Sequence, residues 1–86
     1  MKYTYQTCGT CSTRIHIDVE NDVVKEVSYE GGCDGNLQGI SRLVAGMRVD
    51  EVLQRLEGIR CGGRPTSCPD QLCRALRAIR QQESRP

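Results

Sequence analysis

The chain has 86 residues, six cysteines, no Trp, no Phe and a formal net charge of +1. That length makes one small domain whose modest core must come from Val, Ile, Leu and Ala, and whose packing alone gives marginal stability. A charge so close to zero supplies no broad field for nucleic acid or an anionic membrane, and no stretch approaches the ~20 apolar residues that span a bilayer.

The start, Met1-Lys2-Tyr3-Thr4-Tyr5-Gln6, lacks the apolar run of a signal peptide, which predicts a cytoplasmic protein. In that compartment several cysteines point to metal or redox chemistry rather than to a disulfide framework. Residues Lys2 to Thr7 alternate, with Tyr3 and Tyr5 on one face, and predict a first strand. Cys8-Gly9-Thr10-Cys11 follows as a turn. Arg14 to Glu20 alternate more cleanly, with Ile15, Ile17 and Val19 facing one way and Arg14, His16, Asp18 and Glu20 the other. Asn21-Asp22 predicts a two-residue turn, and Val23, Lys25, Val27 and Tyr29 predict one face of a third strand.

The run Gly31-Gly32-Cys33-Asp34-Gly35-Asn36 breaks the pattern, and the period changes from two to about 3.6. Leu37, Ile40, Leu43, Val44 and Met47 predict one helical stripe, ended by Gly46. Val49, Val52, Leu53 and Leu56 predict a second, ended by Gly58. After the loop Gly62-Gly63-Arg64-Pro65, a last helix is predicted from about Cys68 to Arg80, with Leu72, Leu76 and Ile79 inward and 81–86 a frayed tail. Its start is well marked: Ser67 can cap it, Asp70 completes a box-like first turn, and Pro69 fits where a missing N–H costs nothing. The whole is an α+β domain, a three-stranded antiparallel sheet followed by three helices on its apolar face.

Cys11, Cys33 and Cys68 fall at element junctions, and Cys61 lies in the glycine-rich loop before the last helix. A thiol at the start of a helix feels the positive end of its dipole, which favours the thiolate. Junctions of a sheet-plus-helix layer can converge on one end of a molecule, where thiolates would suit Zn²⁺ or an iron–sulfur cluster. The spacing equally admits buried free cysteines acting as small hydrophobes. Cys8 reads as a bystander in the turn. Cys73, beside the Leu72/Leu76 stripe, reads as core. His16 reads as a solvated histidine rather than a ligand. Arg74, Arg77 and Arg80 recur every three residues, a wet face that complements the helix C-terminus. With Arg85 beyond them they polarise the chain, and a stripe docking a partner or phosphate is the other reading.

Gly31-Gly32-Cys33, Gly35-Asn36-Leu37-Gln38-Gly39-Ile40, Ile59-Arg60-Cys61-Gly62 and Thr66-Ser67-Cys68-Pro69-Asp70-Gln71-Leu72 together resemble the TSCPD-domain family, in particular its small stand-alone branch with four hallmark cysteines. The resemblance runs from residue 1 to about 80. It implies a metal site, Zn²⁺ or alternatively an iron–sulfur cluster, on Cys11, Cys33, Cys61 and Cys68, with Cys8 and Cys73 outside the pattern. A domain similar to this one is attached to the C-terminal side of adenosylcobalamin-dependent ribonucleotide reductases. That implies a link to deoxynucleotide synthesis and a reductase or another protein as partner, with no activity of the chain alone, since a reductase barrel needs several hundred residues. The order of strands and cysteines also resembles the U-type iron–sulfur scaffold proteins. Three functions therefore stand open: a non-catalytic zinc module, an iron–sulfur scaffold or carrier, and a dithiol redox protein using Cys61 and Cys68 or Cys8 and Cys11.

Overall fold

The alternating half of the chain forms strands and the 3.6-period half forms helices. The structure is a computed structural model that describes residues 2–8, 12–32 and 34–83. It contains β1 (Lys2–Gln6), β2 (Ser12–Glu20) and β3 (Val23–Gly31), then α1 (Asp34–Val44), α2 (Val49–Leu56) and α3 (Cys68–Glu83). The strands form one antiparallel sheet in the order β1-β2-β3. This is the expected α+β arrangement.

The β2–β3 turn works because Asn21 and Asp22 take φ of 51° and 64°. Both central residues of a type I′ hairpin need the left-handed region, which Asn and Asp tolerate better than other side chains. On β2, Ile15, Ile17 and Val19 are buried as expected. β3 departs from strict alternation. Asp18 pairs with Glu26 but Val19 pairs with Val24, so Lys25 is an extra residue in a β-bulge. The inward set is therefore Val24, Val27 and half-buried Tyr29, while Lys25 stays exposed. Unbroken alternation would have put the Lys25 ammonium into the core at a prohibitive desolvation cost.

α1 buries Leu37 and Val44 and half-buries Ile40, but Leu43 is 76% exposed. Leu43 lies about 100° round the helix from Val44 and misses the stripe. Met47 is not helical either. Gly46, at φ +88°, turns the chain back along the start of β3. There the Gly46 N–H donates to the Val24 carbonyl (2.7 Å), the Val24 N–H to the Met47 carbonyl (2.8 Å) and the Val49 N–H to the Asp22 carbonyl (2.9 Å). α2 buries Val49, Val52 and Leu53, and α3 buries Leu72, Cys73, Ala75, Leu76 and Ile79. α3 continues to Glu83, past Arg80.

α1 packs on β3, α3 on β2, and α2 on α3, so the helices cover one sheet face. The opposite face carries His16 and Asp18. α3 starts beside the end of β3, where the Tyr29 hydroxyl donates to the Cys68 carbonyl at 3.4 Å. It ends beside the β2–β3 turn, where Arg80 meets Asp22. The molecule thus has a turn end and, opposite, an end where Cys8 after β1, the end of β3 and Cys68 at the start of α3 come together.

Candidate metal centre

The first turn of α3 is held by its own side chains. Ser67 Oγ accepts the Asp70 N–H (3.2 Å), the N-cap bond its sequence position predicts. Ser67 Oγ also donates to the Ile59 carbonyl at 2.6 Å. Asp70 does not fold back into a reciprocal box. It is only 4% exposed, and its carboxylate accepts from the Gly58 N–H (2.8 Å), the Thr66 hydroxyl (2.5 Å) and Arg74 Nε (3.1 Å). Burial pushes the Asp70 carboxyl up, but these donors and the Arg74 charge outweigh it and hold it below the usual carboxylate range. The acid leaves the helix end to Ser67 because three donors, the Gly58 N–H from the loop before it, the Thr66 hydroxyl and Arg74 one turn further along α3, offer more than one backbone N–H.

Gln71 is 1% exposed. Its Oε1 accepts the Cys8 N–H (3.1 Å) and its Nε2 donates to Thr66 Oγ1 (3.0 Å). The Thr66 carbonyl accepts the Cys61 N–H at 3.2 Å. The loop carrying Cys61 is therefore tied at its base through Gly58, Ile59 and Cys61 itself, while the Cys61 residue is exposed. Thr66 and Gln71 stand in the quoted motif, but nothing in their spacing marks them as bonding across the fold. The only available signal was a Thr and a Gln flanking a capped helix start that must be buried.

Cys68 is 8% exposed at the first residue of α3. Cys11 and Cys33 lie outside the described residues. Their neighbours meet: Ser12 pairs with Gly31, and the Thr13 hydroxyl donates to the Glu30 carbonyl at 3.1 Å. Cys8 is exposed beside Gln71. Among the described residues no three His, Cys, Asp or Glu side chains are grouped to hold a metal ion. The donor chemistry at this end is that of thiols. Asp70 has its oxygens engaged, and His16 lies on the other sheet face, bonded through Nδ1 to Thr4 Oγ1 (3.1 Å) and through Nε2 to Glu30. A thiophilic ion fits such a set.

Cys73 is fully buried, with its thiol 3.7 Å from the Val52 carbonyl, and burial first, then the Glu57 and Asp70 charges, pushes it up to about 12. It is core, as expected. Burial also raises the Tyr29 phenol above its ordinary value.

The arginine stripe is not a free field. Arg74 pairs with Asp70, Arg77 forks onto Glu57 (2.7 Å for the Nη2 bond), and Arg80 reaches both Asp22 and Asp50 at 2.7 Å. Hydrogen bonding to Arg80 holds Asp22 below its ordinary value.

Comparison with known families matches the TSCPD domain over residues 1–80. The chain belongs to the TSCPD-domain family. Searches of curated proteins and of solved structures return no match. In this TSCPD domain the motif Thr66-Ser67-Cys68-Pro69-Asp70 is a helix start held by its own hydroxyls and carboxylate, which also reach Ile59 and Gly58 in the loop before it and Arg74 one turn on. Among the described residues no helix is long and apolar enough to cross a membrane.

Proposed function

We propose that this TSCPD domain is a non-catalytic metal-binding module, in which Cys11, Cys33, Cys61 and Cys68 hold a structural Zn²⁺. Its proposed setting is deoxynucleotide synthesis, as a relative of the accessory domain of adenosylcobalamin-dependent ribonucleotide reductases, acting beside a reductase or another protein partner. The observation that carries the reading is the meeting of cysteine-bearing segments at the start of α3. Cys61 is bonded to Thr66 and Cys8 to Gln71, Ser12 stands across from Gly31, and Tyr29 reaches the Cys68 carbonyl. The family match over residues 1–80 spans all four cysteines.

Four thiolates on one Zn²⁺ leave no position for a substrate, which favours a structural over a catalytic ion. When bound, such an ion cross-links its segments and can add ~10 kcal/mol or more to a small fold. That suits a core without Phe or Trp.

The test is metal analysis and an absorption spectrum on anaerobically prepared protein, followed by Co²⁺ substitution. The zinc reading expects one equivalent of zinc and, with Co²⁺, thiolate charge-transfer and tetrahedral d–d bands that weaken in each of Cys11→Ser, Cys33→Ser, Cys61→Ser and Cys68→Ser. A brown protein absorbing near ~400 nm would instead make it an iron–sulfur scaffold or carrier. A metal-free protein with a reversible disulfide at roughly −200 to −300 mV would make it a dithiol redox protein.

A further inference from the structure

Gln71 is the least expected residue in the core. It occupies a fully buried helix position where Leu would bury more apolar surface, and a buried primary amide is costly unless every polar group is bonded. Its cost is met by two partners outside its own helix turn, Cys8 N–H and Thr66 Oγ1. Thr66 in turn donates to Asp70, which also takes the Gly58 N–H, and the Thr66 carbonyl takes the Cys61 N–H. Among the described residues no buried side-chain nitrogen or oxygen is left without a partner. The chain of bonds runs from the Cys8 amide just after β1, through the start of α3, to the loop that carries Cys61. Capping alone does not require it, because Ser67 already caps the helix.

We propose that Thr66 and Gln71 are positioning residues that fix the chain at Cys8, where it leaves β1, and the Cys61 loop relative to Cys68, so that thiols at this end are held in place before a metal arrives. This rests on the metal-binding reading above. A thiol loop that is already ordered loses little freedom on ligation, and groups that orient ligands from outside the coordination shell typically carry about 10- to 100-fold in metal affinity.

The experiment compares wild type with Thr66→Val, Thr66→Ser and Gln71→Met. Thr66→Val keeps the shape and deletes both hydroxyl bonds; Thr66→Ser restores them. Gln71→Met keeps the volume, leaves Thr66–Asp70 intact and serves if the valine variant fails to fold. Two readouts are taken: Zn²⁺ affinity by chelator competition with the Co²⁺ spectrum, and hydrogen exchange at the Cys8 amide in chelator-treated protein. The expected result is about 10- to 100-fold weaker Zn²⁺ binding and altered d–d bands in Thr66→Val and Gln71→Met, near-wild-type behaviour in Thr66→Ser, and lost Cys8 amide protection in Gln71→Met. Unchanged affinity and spectrum in folded variants of a zinc-binding wild type overturn the positioning role and leave the metal site standing. A wild type that binds no metal overturns the metal-binding reading and, with it, the role in ligation. The Cys8 amide then reports separately whether Gln71 orders the chain after β1.

Discussion

Replacing Asp70 by Ala removes one acceptor group and strands several donors at once. Its carboxylate takes the Gly58 N–H at 2.8 Å, the Thr66 hydroxyl at 2.5 Å and Arg74 Nε at 3.1 Å. A buried donor left without a partner costs about 1–3 kcal/mol. The Thr66 hydroxyl is fully enclosed and belongs in the upper part of that range, whereas the Gly58 N–H is part-buried and belongs in the lower part. Arg74 is 54% exposed, so solvent screens its pairing to no more than about 0.5–1 kcal/mol. The expected loss is therefore about 3–4 kcal/mol. A domain of this size has only about 4–13 kcal/mol in all. The assay is urea unfolding followed by far-UV circular dichroism, with chelator and reductant present so that metal linkage and disulfides do not contribute. The midpoint should fall with an unchanged slope. Asp70→Asn, which keeps an acceptor oxygen, should fall in between. Arg74→Ala should lose under about 1 kcal/mol. An Asp70→Ala variant within about 1 kcal/mol of wild type, or no worse than Arg74→Ala, would refute the assignment of the donors to Asp70.

Thiol labelling at pH 8 in chelator should modify the exposed Cys8 and Cys61 rapidly and Cys73 only on unfolding, because Cys73 is buried and pushed up to about 12; rapid native-state labelling at Cys73 would contradict its place in the core. Asp22 is held below its ordinary 3.8 by Arg80, so its contribution is present above the usual carboxylate range and lost as pH falls through the depressed folded value. Asp22→Asn, which keeps a residue tolerant of the turn's positive φ, should flatten the acid limb of the stability profile; an unchanged limb would refute the linkage. Leu43→Gln should change stability by no more than about 0.5 kcal/mol, while Val44→Ala should cost about 2 kcal/mol, and equal losses would return Leu43 to the core.

The period of the sequence located nearly every element. Ile15, Ile17 and Val19 lie inward because each alternate position of β2 is apolar, and Gly58 ends α2 where the stripe ends. What was not legible depends on exceptions to period. Lys25 sits among valines in register, and only the bulge opposite Asp18 and Val19 takes it out of the core. Leu43 is as apolar as Val44, but a short helix has room for one stripe. At the candidate site, Ser67 was readable as a cap because capping is local. Thr66 and Gln71 were not, because Cys8 and Cys61 are brought to them only by how the loops close over the helix. The arginines show the same limit: Arg74 pairs with Asp70 one turn before it on α3, but the carboxylates of Arg77 and Arg80 come from Glu57 at the end of α2, from Asp50 in α2 and from Asp22 in the β2–β3 turn.

The bond from Cys8 to Gln71 joins positions 63 residues apart. The strand hairpins and the helix turns are local and need little chain to form, whereas this closure needs almost all of it. During synthesis the strand hairpins and α1, which packs on β3, can form before residue 71 has been made, but α2, which packs on α3, and the cysteine-bearing end cannot. Until α3 docks, Cys8 and Cys61 belong to open loops with no common anchor. The last helix is thus the latch of the molecule, and a chain cut short within it would expose its thiols in a partly formed fold.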